Sequence, residues 1–189
     1  GYCTALYFDA GIKFIKKASL QDKPFFAYVA PNAPHGPYHD VPEELLKYYK
    51  SINLTPVLGF PKNDKHRDTV ARVYAMVENI DQNMGRLETF LKKNDLKRNT
   101  IVLFFTDNGP NTMRYVGPFR EMKAKVHEGG IRTCFFARWP GQFQAGHRNN
   151  RIAAHIDLMP TLLDAAGVAT PDGVNFDGKS ILPLLKGSP

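Results

Sequence analysis

Cysteine is scarce in this sequence, which contains only Cys3 and Cys134 among its 189 residues. The two form no C-x-x-C pair and have no spacing typical of zinc ligands. Cys3 falls in a predicted helix and Cys134 in a predicted strand, so we interpret both as buried apolar residues rather than as reactive thiols. The sequence therefore indicates neither a zinc site nor a thiol-based redox centre.

Several other sequence signatures are absent. The chain has no G-x-S-x-G motif, no Walker loop and no G-x-G-x-x-G motif, so no nucleophile and no nucleotide-binding loop stands out. It has no apolar run long enough to span a membrane and no visible signal peptide. It also has no block of five basic residues and no nucleic-acid-binding fingerprint, so we predict neither a membrane nor a nucleic-acid partner.

The composition is that of a globular domain with an excess of positive charge. Apolar residues make up 43% of the chain and charged residues 23%, and the length is sufficient to bury a substantial core. The net charge of +7 fits an anionic partner, such as a sulfated or phosphorylated small substrate, and equally a basic solvated surface. Charge alone does not distinguish these.

Two amphipathic helices are predicted in the first half of the chain. Residues 2–17 carry apolar side chains at steps of three and four, with lysines late in the run, where the helix dipole favours them. A longer helix is predicted to begin with Asp68 as its N-cap and to stop at Asn94. Its apolar stripe comprises Val70, Val73, Val77, Ile80, Met84, Leu87 and Leu91.

Short apolar runs predict the strands of a sheet. The segments 24–30 and 99–107 are interpreted as buried strands, and 133–141 as a third strand that ends in a Pro-Gly turn. The order helix, strand, helix, strand is typical of an α/β protein with a mostly parallel sheet flanked by helices. Because parallel strands end at one edge of a sheet, the loops that follow the first two strands are expected to meet there.

The rest of the chain is predicted to be a long loop followed by two short elements. Residues 109–132 are rich in glycine and charge, and a loop of this length is more often functional than idle. A helix is predicted over 157–166, closed by Gly167, and a final short element over 176–187.

The strand end at 104–110 reads FFTDNGP and places Asp107 and Asn108 directly after an apolar run. Asn-Gly is a common turn dipeptide, so a simple turn explains the pattern. A carboxylate beside an amide also offers two hard oxygen ligands suited to Ca²⁺ or Mg²⁺, although Ca²⁺ takes about six to eight. Both interpretations remain open from the residues alone.

Two further positions have the chemistry to act on an anionic substrate. His35 lies in P-H-G-P, where the prolines restrict the backbone, and a histidine there can bind an anion or act as an acid. Lys123 and Lys125, in MKAKVHEGGIR, are natural point charges for sulfate or phosphate oxygens, and Arg132 can pair with Glu128. An ordinary solvated loop explains all of these equally well. The other histidines have no ligand spacing: His39, His66, His127, His147 and His155.

Taken in order, these stretches resemble the sulfatase family of the alkaline-phosphatase-like superfamily. PFFAYVAPNAPHGP is similar to the family's strand and loop with a substrate-binding histidine, FFTDNGP to its metal-binding strand end, and MKAKVHEGGIRTCFFARWPG to its lysine loop. AMVENIDQNMGRLETFL, IDLMPTLLDAAGV and DGKSILPLLKG are similar to further family segments. The resemblance covers nearly the whole chain and implies an incomplete sulfatase catalytic domain of the α/β class.

The resemblance also implies a reaction and a role for four residues. The reaction is metal-dependent hydrolysis of a sulfate ester, with a small molecule or a carbohydrate as the sulfated partner. Asp107 and Asn108 would be ligands of a divalent cation, usually Ca²⁺. His35 would contact the ester near its bridging oxygen and help to protonate the leaving group. Lys123 would contact the sulfate oxygens, whereas Lys125 has no such role, and the resemblance suggests a secreted or periplasmic location.

The sequence departs from the family in two respects. The family nucleophile is a formylglycine made from the first residue of C/S-x-P/A-x-R, and no such motif occurs here. Pro118, Glu121 and Ala124 stand where many relatives have glycine, which is expected to alter the geometry of the lysine loop. We therefore expect residues 1–189 to be a partial catalytic domain, without the N-terminal half that carries the formylglycine and without the small C-terminal subdomain. The isolated chain would then be inactive.

Two other functions stay open on the sequence. A phosphomonoester or phosphonate hydrolase of the same superfamily would share the metal-binding strand ends, and a non-catalytic basic binding module would need no nucleophile. A partial sheet also exposes strand edges and apolar faces, so the isolated fragment is expected to self-associate through them.

Overall fold

Two compact units make up the chain in a computed structural model that describes residues 2–59, 61–114 and 116–187. The first unit comprises Gly1–Asp95 and Asn108–Arg132, and the second comprises Leu96–Asp107 and Thr133–Pro189. Among the described residues, no helix combines the length and the apolar character needed to cross a membrane.

Among its described residues, the first unit contains four α-helices, of which the last is a single turn. They are α1 (Cys3–Ser19), α2 (Glu43–Ser51), α3 (Asp64–Lys93) and α4 (Glu128–Ile131), and both α1 and α2 pack against α3. The two predicted helices are confirmed, whereas α2 was not predicted. Most of the predicted α3 stripe is covered, but Val77 is 44% exposed. The buried apolar side chains of this unit include Phe8, Ile15, Val41, Leu54, Val70, Val73, Met76, Ile80 and Leu91.

The start of α3 differs from the prediction. The helix begins at Asp64 because the side-chain oxygen of Asn63 caps it, accepting a hydrogen bond from the backbone N–H of His66 at 2.9 Å. The prediction of Asp68 as the N-cap is therefore wrong, since an adequate cap lies one turn earlier. At the other end Asn94 is the C-cap, as predicted.

Asp68 instead joins α2 to α3. Its two carboxylate oxygens accept hydrogen bonds from Lys50 Nζ at 2.6 Å and from Arg72 Nε at 2.7 Å. These bonds, the one from Lys50 first, hold the pKa of Asp68 below its ordinary value. Arg72 also donates to the backbone carbonyl of Tyr38 at 3.2 Å, so it links α3 to the loop that precedes α2.

Residues 24–30, which follow α1, do not pair in a sheet. Alternate side chains are partly covered, whereas Phe26 and Tyr28 are 68% and 73% exposed. The alternation is typical of an extended strand, but none of the described residues forms a ladder with this segment. One face lies against α1, where a Cβ at Gly11 would approach Val29 Cγ2 to 2.9 Å. The prediction of a buried strand is wrong here because no strand formed by the described residues covers the other face.

The second unit contains the one sheet that the described residues form. Its strands, β1 (Val102–Phe105) and β2 (Phe135–Arg138), pair antiparallel, with Val102 opposite Arg138 and Phe105 opposite Phe135. Both strands lie inside predicted strands and are shorter at each end. The parallel strand pairing that the sequence order predicted is not seen among the described strands, because β1 pairs with β2 and not with residues 24–30. The described residues show parallel pairing only in an isolated bridge between Val116 and Pro118.

Both cysteines are exposed, which contradicts the prediction that they are buried. Cys3 lies in the first turn of α1, whose buried side is defined by Thr4, Phe8 and Ile15, so its side chain falls beside that stripe. Cys134 precedes β2 and therefore lies outside the paired part of the sheet.

Two helices complete the second unit. They are α5 (Leu158–Ala166) and α6 (Leu182–Leu185), which confirm the helix and the short final element predicted there. Gly167 caps α5 in the left-handed conformation, with a φ of 65°, as predicted. The hydroxyl of Thr161 accepts a hydrogen bond from the backbone N–H of Ile181 at 2.9 Å, which ties the start of α6 to α5.

Candidate active site

The C-terminal end of β1, which leads into Asp107 and Asn108, is held in place by His155. The backbone carbonyl of Thr106, directly after β1, accepts a hydrogen bond from His155 Nε2 at 3.0 Å. The imidazole also meets the ring of Phe105 edge-on, with centroids 5.6 Å apart and planes at 67°. Asp107 follows immediately, so the predicted ligand is attached to a strand end that is held from outside the sheet.

Gly109 shows why the segment after Asn108 is more than a turn. Its backbone N–H donates to the carbonyl of Gly130 at 2.8 Å, and a Cβ placed on it would come within 1.9 Å of the carbonyl oxygen of Gly129. Its φ is not positive, so glycine is required by this close approach of two backbones and not by a left-handed turn. The glycine of the D-N-G pattern is therefore explained by its contact with α4.

The lysine loop is bonded to the same segment. The backbone N–H of Lys123 donates to the carbonyl of Pro110 at 2.9 Å, and that of Gly129 donates to the carbonyl of Arg120 at 2.8 Å. A Cβ at Gly130 would lie 2.3 Å from the carbonyl oxygen of Lys125. The E-G-G motif of α4 thus lets the lysine loop fold closely onto the residues that follow Asn108.

The side chains of the two candidate lysines differ in exposure. Lys123 is partly buried, whereas Lys125 is exposed. A partly buried ammonium is better placed for an anion, because fewer waters compete with it. Of the two lysines, Lys123 is therefore the one more shielded from water.

Two left-handed residues flank Lys123. Glu121 has a φ of 70° and Ala124 a φ of 67°, in the region that favours glycine. At both positions the family resemblance implied that glycine would be usual. The loop therefore keeps a glycine-like backbone there without glycine, and each residue costs about 1–2 kcal/mol for it.

His35 is exposed and is held by its own loop. Its backbone N–H donates to the carbonyl of Asn32 at 2.9 Å, and its ring Nδ1 lies 2.7 Å from the carbonyl oxygen of Gly36. A carbonyl only accepts, so Nδ1 carries the hydrogen in this contact and Nε2 is the atom left to meet a substrate.

The structure joins some of the predicted site residues directly. Asp107 and Asn108 are consecutive, so their Cα atoms are about 3.8 Å apart, and the bond to Pro110 joins the Lys123 loop to the same stretch of chain. No hydrogen bond or ion pair of the described residues joins His35 to Lys123. Within the described part of the chain, no group of three His, Cys, Asp or Glu side chains could hold a metal ion. The oxygen donors of Asp107 and Asn108 fit a hard cation in chemistry but supply only part of its coordination sphere.

The sequence did not predict the contact of His155 with this strand end, but it did predict the ion pair between Glu128 and Arg132. His155 contacts Thr106 across 49 residues of sequence, and no ligand spacing could have revealed it. The predicted pair of Glu128 and Arg132 is confirmed at 2.9 Å. The same guanidinium lies over the ring of Phe119, with its carbon 4.6 Å from the ring centroid, so it braces the loop from two sides.

Comparison with known proteins assigns the family. The family model described as Sulfatase matches residues 1–168. The uncharacterized sulfatase YdeN of Escherichia coli (strain K12) is 33% identical, over 98% of this chain and 31% of its own length. The N-acetylgalactosamine-6-sulfatase of Canis lupus familiaris is 32% identical, over 97% of this chain and 33% of its own length. This chain belongs to the sulfatase family, and it spans about a third of the length of the curated relatives that it matches.

A solved structure extends the comparison to the fold. The crystal structure of Ps i-CgsB in complex with k-i-k-neocarrahexaose superposes with a TM-score of 0.79 at 29% identity, covering 95% of this chain and 37% of that one. The resemblance stated from the motifs and the α/β class of an incomplete sulfatase catalytic domain are both confirmed.

Proposed function

We propose that this chain carries part of the active site of a sulfuric ester hydrolase. The observation that carries the proposal is the backbone bond between Lys123 and Pro110, which places the lysine loop beside Asn108 in a chain that belongs to the sulfatase family. Lys123 follows Pro110 by 13 residues within the 109–132 loop, and a simple turn at Asn108 would not require the bond between them.

Asp107 and Asn108 would hold a divalent cation, with Ca²⁺ as the expected ion. The carboxylate and the amide carbonyl supply hard oxygens, which this ion prefers. When bound, the cation supplies positive charge that stabilises the negative charge of the sulfuryl oxygens. Because no described group of three His, Cys, Asp or Glu side chains could hold the ion, the remaining ligands would be carbonyl, amide or water oxygens, or carboxylates outside the described residues.

Lys123 and His35 would act on opposite parts of the ester. The partly buried ammonium of Lys123 would bind a sulfuryl oxygen through a charge-assisted hydrogen bond, which contributes about 1.5–3 kcal/mol. As an imidazolium, with hydrogen on both ring nitrogens, His35 would donate a proton from Nε2 to the leaving oxygen and become neutral. The bond from Nδ1 to the Gly36 carbonyl would orient its ring. Both contacts stabilise charge that develops as the bond to sulfur breaks.

The sulfated partner is proposed to be a carbohydrate. The canine relative is named for an N-acetylgalactosamine 6-sulfate, and the structure of Ps i-CgsB contains a neocarrahexaose. The excess of 25 Lys and Arg over 18 Asp and Glu also suits an anionic substrate. A panel of sulfated sugars with matched desulfated and phosphorylated analogues, assayed on a longer chain that also carries a C/S-x-P/A-x-R motif, tests this point. Faster turnover of the phosphate analogue would favour a phosphomonoester hydrolase instead.

The nucleophile is proposed to lie outside this chain, because C/S-x-P/A-x-R does not occur in it. The purified 189-residue chain is therefore expected to show no turnover of an aryl sulfate. Robust hydrolysis by the purified chain would contradict the proposal.

The role of Lys123 is tested in a longer chain that also carries a C/S-x-P/A-x-R motif. There, Lys123→Ala is expected to lower kcat/KM for an aryl sulfate by about 10²–10³-fold, the usual loss for one donor to a developing charge. Lys125→Ala is the matched control, since this lysine is exposed two residues further on, and it should stay within about twofold of the parent. Equal losses in the two variants would show a general effect of charge and would overturn the assignment.

A further inference from the structure

A histidine that the proposed reaction does not use lies against the end of β1. We propose that His155 is a positioning residue, which fixes the backbone of Asp107 through its hydrogen bond to the Thr106 carbonyl. This inference rests on the proposed function in one respect only, namely that Asp107 is a metal ligand.

The geometry of the peptide bond explains how the contact reaches Asp107. The carbonyl of Thr106 and the Cα of Asp107 belong to one planar peptide unit. A donor that holds the carbonyl oxygen therefore restricts the rotation of that plane and so the position of the Asp107 Cα. The His155 Nε2 lies 3.0 Å from this oxygen, a normal hydrogen-bond distance. Because the oxygen only accepts, Nε2 carries the hydrogen.

The imidazole is itself held by the sheet. Its edge contact with Phe105 has centroids 5.6 Å apart, within the range of favourable aromatic pairs. Phe105 in turn faces Phe135 on the neighbouring strand, with centroids 6.4 Å apart. The donor is thus placed by packing and does not rely on the hydrogen bond alone.

The backbone of Ala154, directly before His155, is held by the side chain of Asp157. Its carboxylate accepts hydrogen bonds from the N–H of Ala154 at 2.8 Å and from the N–H of Lys179 at 2.9 Å. These bonds, the one from Lys179 first, hold the pKa of Asp157 below its ordinary value, which agrees with a carboxylate that stays charged in this role. A continuous series of contacts therefore runs from Asp157 through residues 154–155 to Thr106.

Two substitutions separate the hydrogen bond from the ring contact. His155→Phe keeps an aromatic ring against Phe105 and removes the donor, whereas His155→Gln keeps a donor of similar reach and removes the ring. The readouts on the 189-residue chain are the carbonyl ¹³C shift of Thr106 and the backbone order parameter of Asp107, and neither requires metal. We expect the shift to change in His155→Phe and the order parameter to fall from about 0.85 toward about 0.6. His155→Gln should match the wild type in both.

A calcium titration, followed by the amide shifts of Asp107 and Asn108, gives the second readout. His155→Phe is expected to weaken the apparent affinity about tenfold, the usual loss when an outer partner of a ligand is removed. His155→Gln should stay within about twofold of the wild type. Asp107→Ala tests the proposed function itself and should remove the response.

The outcomes distinguish the two proposals. If the wild type and Asp107→Ala respond alike to calcium, the metal site is wrong, and His155 is judged by the carbonyl shift and the order parameter alone. If His155→Phe leaves both unchanged, or His155→Gln disturbs them equally, the positioning role is overturned. Should His155→Phe fail to fold, His155→Asn takes its place, because its amide is too short to reach the carbonyl.

Discussion

At the scale of single residues, the lysine loop depends on backbone positions more than on side-chain contacts. Lys123 lies between two left-handed residues, and its neighbours approach α4 so closely that Gly109, Gly129 and Gly130 have no room for a Cβ. A loop built in this way presents its lysine from a backbone with few alternative conformations. Substitutions in this loop should therefore change stability according to the φ angle at the position and the space available for a Cβ atom.

Ala124→Gly is expected to stabilise the chain by about 0.5–1 kcal/mol. Glycine removes the cost of the left-handed conformation, about 1–2 kcal/mol. Part of this gain is offset because glycine raises the conformational entropy of the unfolded chain. Ala10→Gly, at an exposed position inside α1, is the matched control and should destabilise by about 0.5–1 kcal/mol. The shift of the urea midpoint measures both. A loss of stability in Ala124→Gly would show that its φ is not a source of strain.

Gly109→Ala is expected to destabilise the lysine loop by about 1–3 kcal/mol, the usual cost of overpacking. The added Cβ would lie 1.9 Å from the carbonyl oxygen of Gly129, and backbone cannot move as easily as a side chain. Gly85→Ala makes the same change inside α3, where nothing lies within 4 Å of the new atom, and should stabilise by about 0.5–1 kcal/mol. Thermal unfolding of the two variants checks the opposite signs.

At the scale of elements, α2 and α3 are joined by Asp68 as well as by apolar packing. Because hydrogen bonds from Lys50 and Arg72 lower its folded pKa, Asp68 stabilises the chain fully above its unfolded pKa of about 3.9. This contribution begins to be lost as the pH falls below about 4, and it is gone once the pH has passed below the lowered pKa of Asp68 in the folded chain.

Asp68→Asn should therefore destabilise at neutral pH by about 0.5–1 kcal/mol, as expected for a partly exposed charge network. The difference from the wild type should shrink as the pH falls below about 4. Free energies of unfolding from urea titrations across this range provide the measurement, with Asp81→Asn, an exposed carboxylate on the same helix, as the control. A difference that stays constant with pH would exclude the charge as its cause.

At the scale of the whole molecule, the chain leaves an apolar surface uncovered. This surface combines residues 24–30 with one side of α1, and its exposed members include Tyr7, Phe14, Phe26 and Tyr28. Backbone groups without a ladder and adjacent exposed aromatic side chains favour association.

The 189-residue chain is therefore expected to self-associate as its concentration rises, as seen by sedimentation velocity. The double substitution Phe26→Ser with Tyr28→Ser should reduce the association. Val126→Ser is the control, because Val126 is 84% exposed and lies in the 109–132 loop. A monomer at every concentration, or an equal effect of the control, would contradict the prediction.

The sequence predicted those elements whose signal is local. The apolar repeat of α3, the Gly167 cap and the apolar runs of β1 and β2 all appear where predicted, because each depends on neighbours a few residues away. The wrong predictions concern contacts with residues that are distant in the sequence. Residues 24–30 alternate like a strand but pair with nothing described, and Asp68 serves the α2–α3 contact because Asn63 already caps the helix.

By itself, the sequence determined the family, through an ordered set of motifs, and the identity of the candidate residues Asp107, Asn108, His35 and Lys123. Only the tertiary structure decided that Lys123 is partly buried and Lys125 exposed, that the lysine loop is bonded beside Asn108, and that His155 holds the carbonyl before Asp107. The physical reason is distance along the chain. Periodicity and capping depend on residues that are close in the sequence, whereas a hydrogen bond across 49 residues forms only once the backbone has folded.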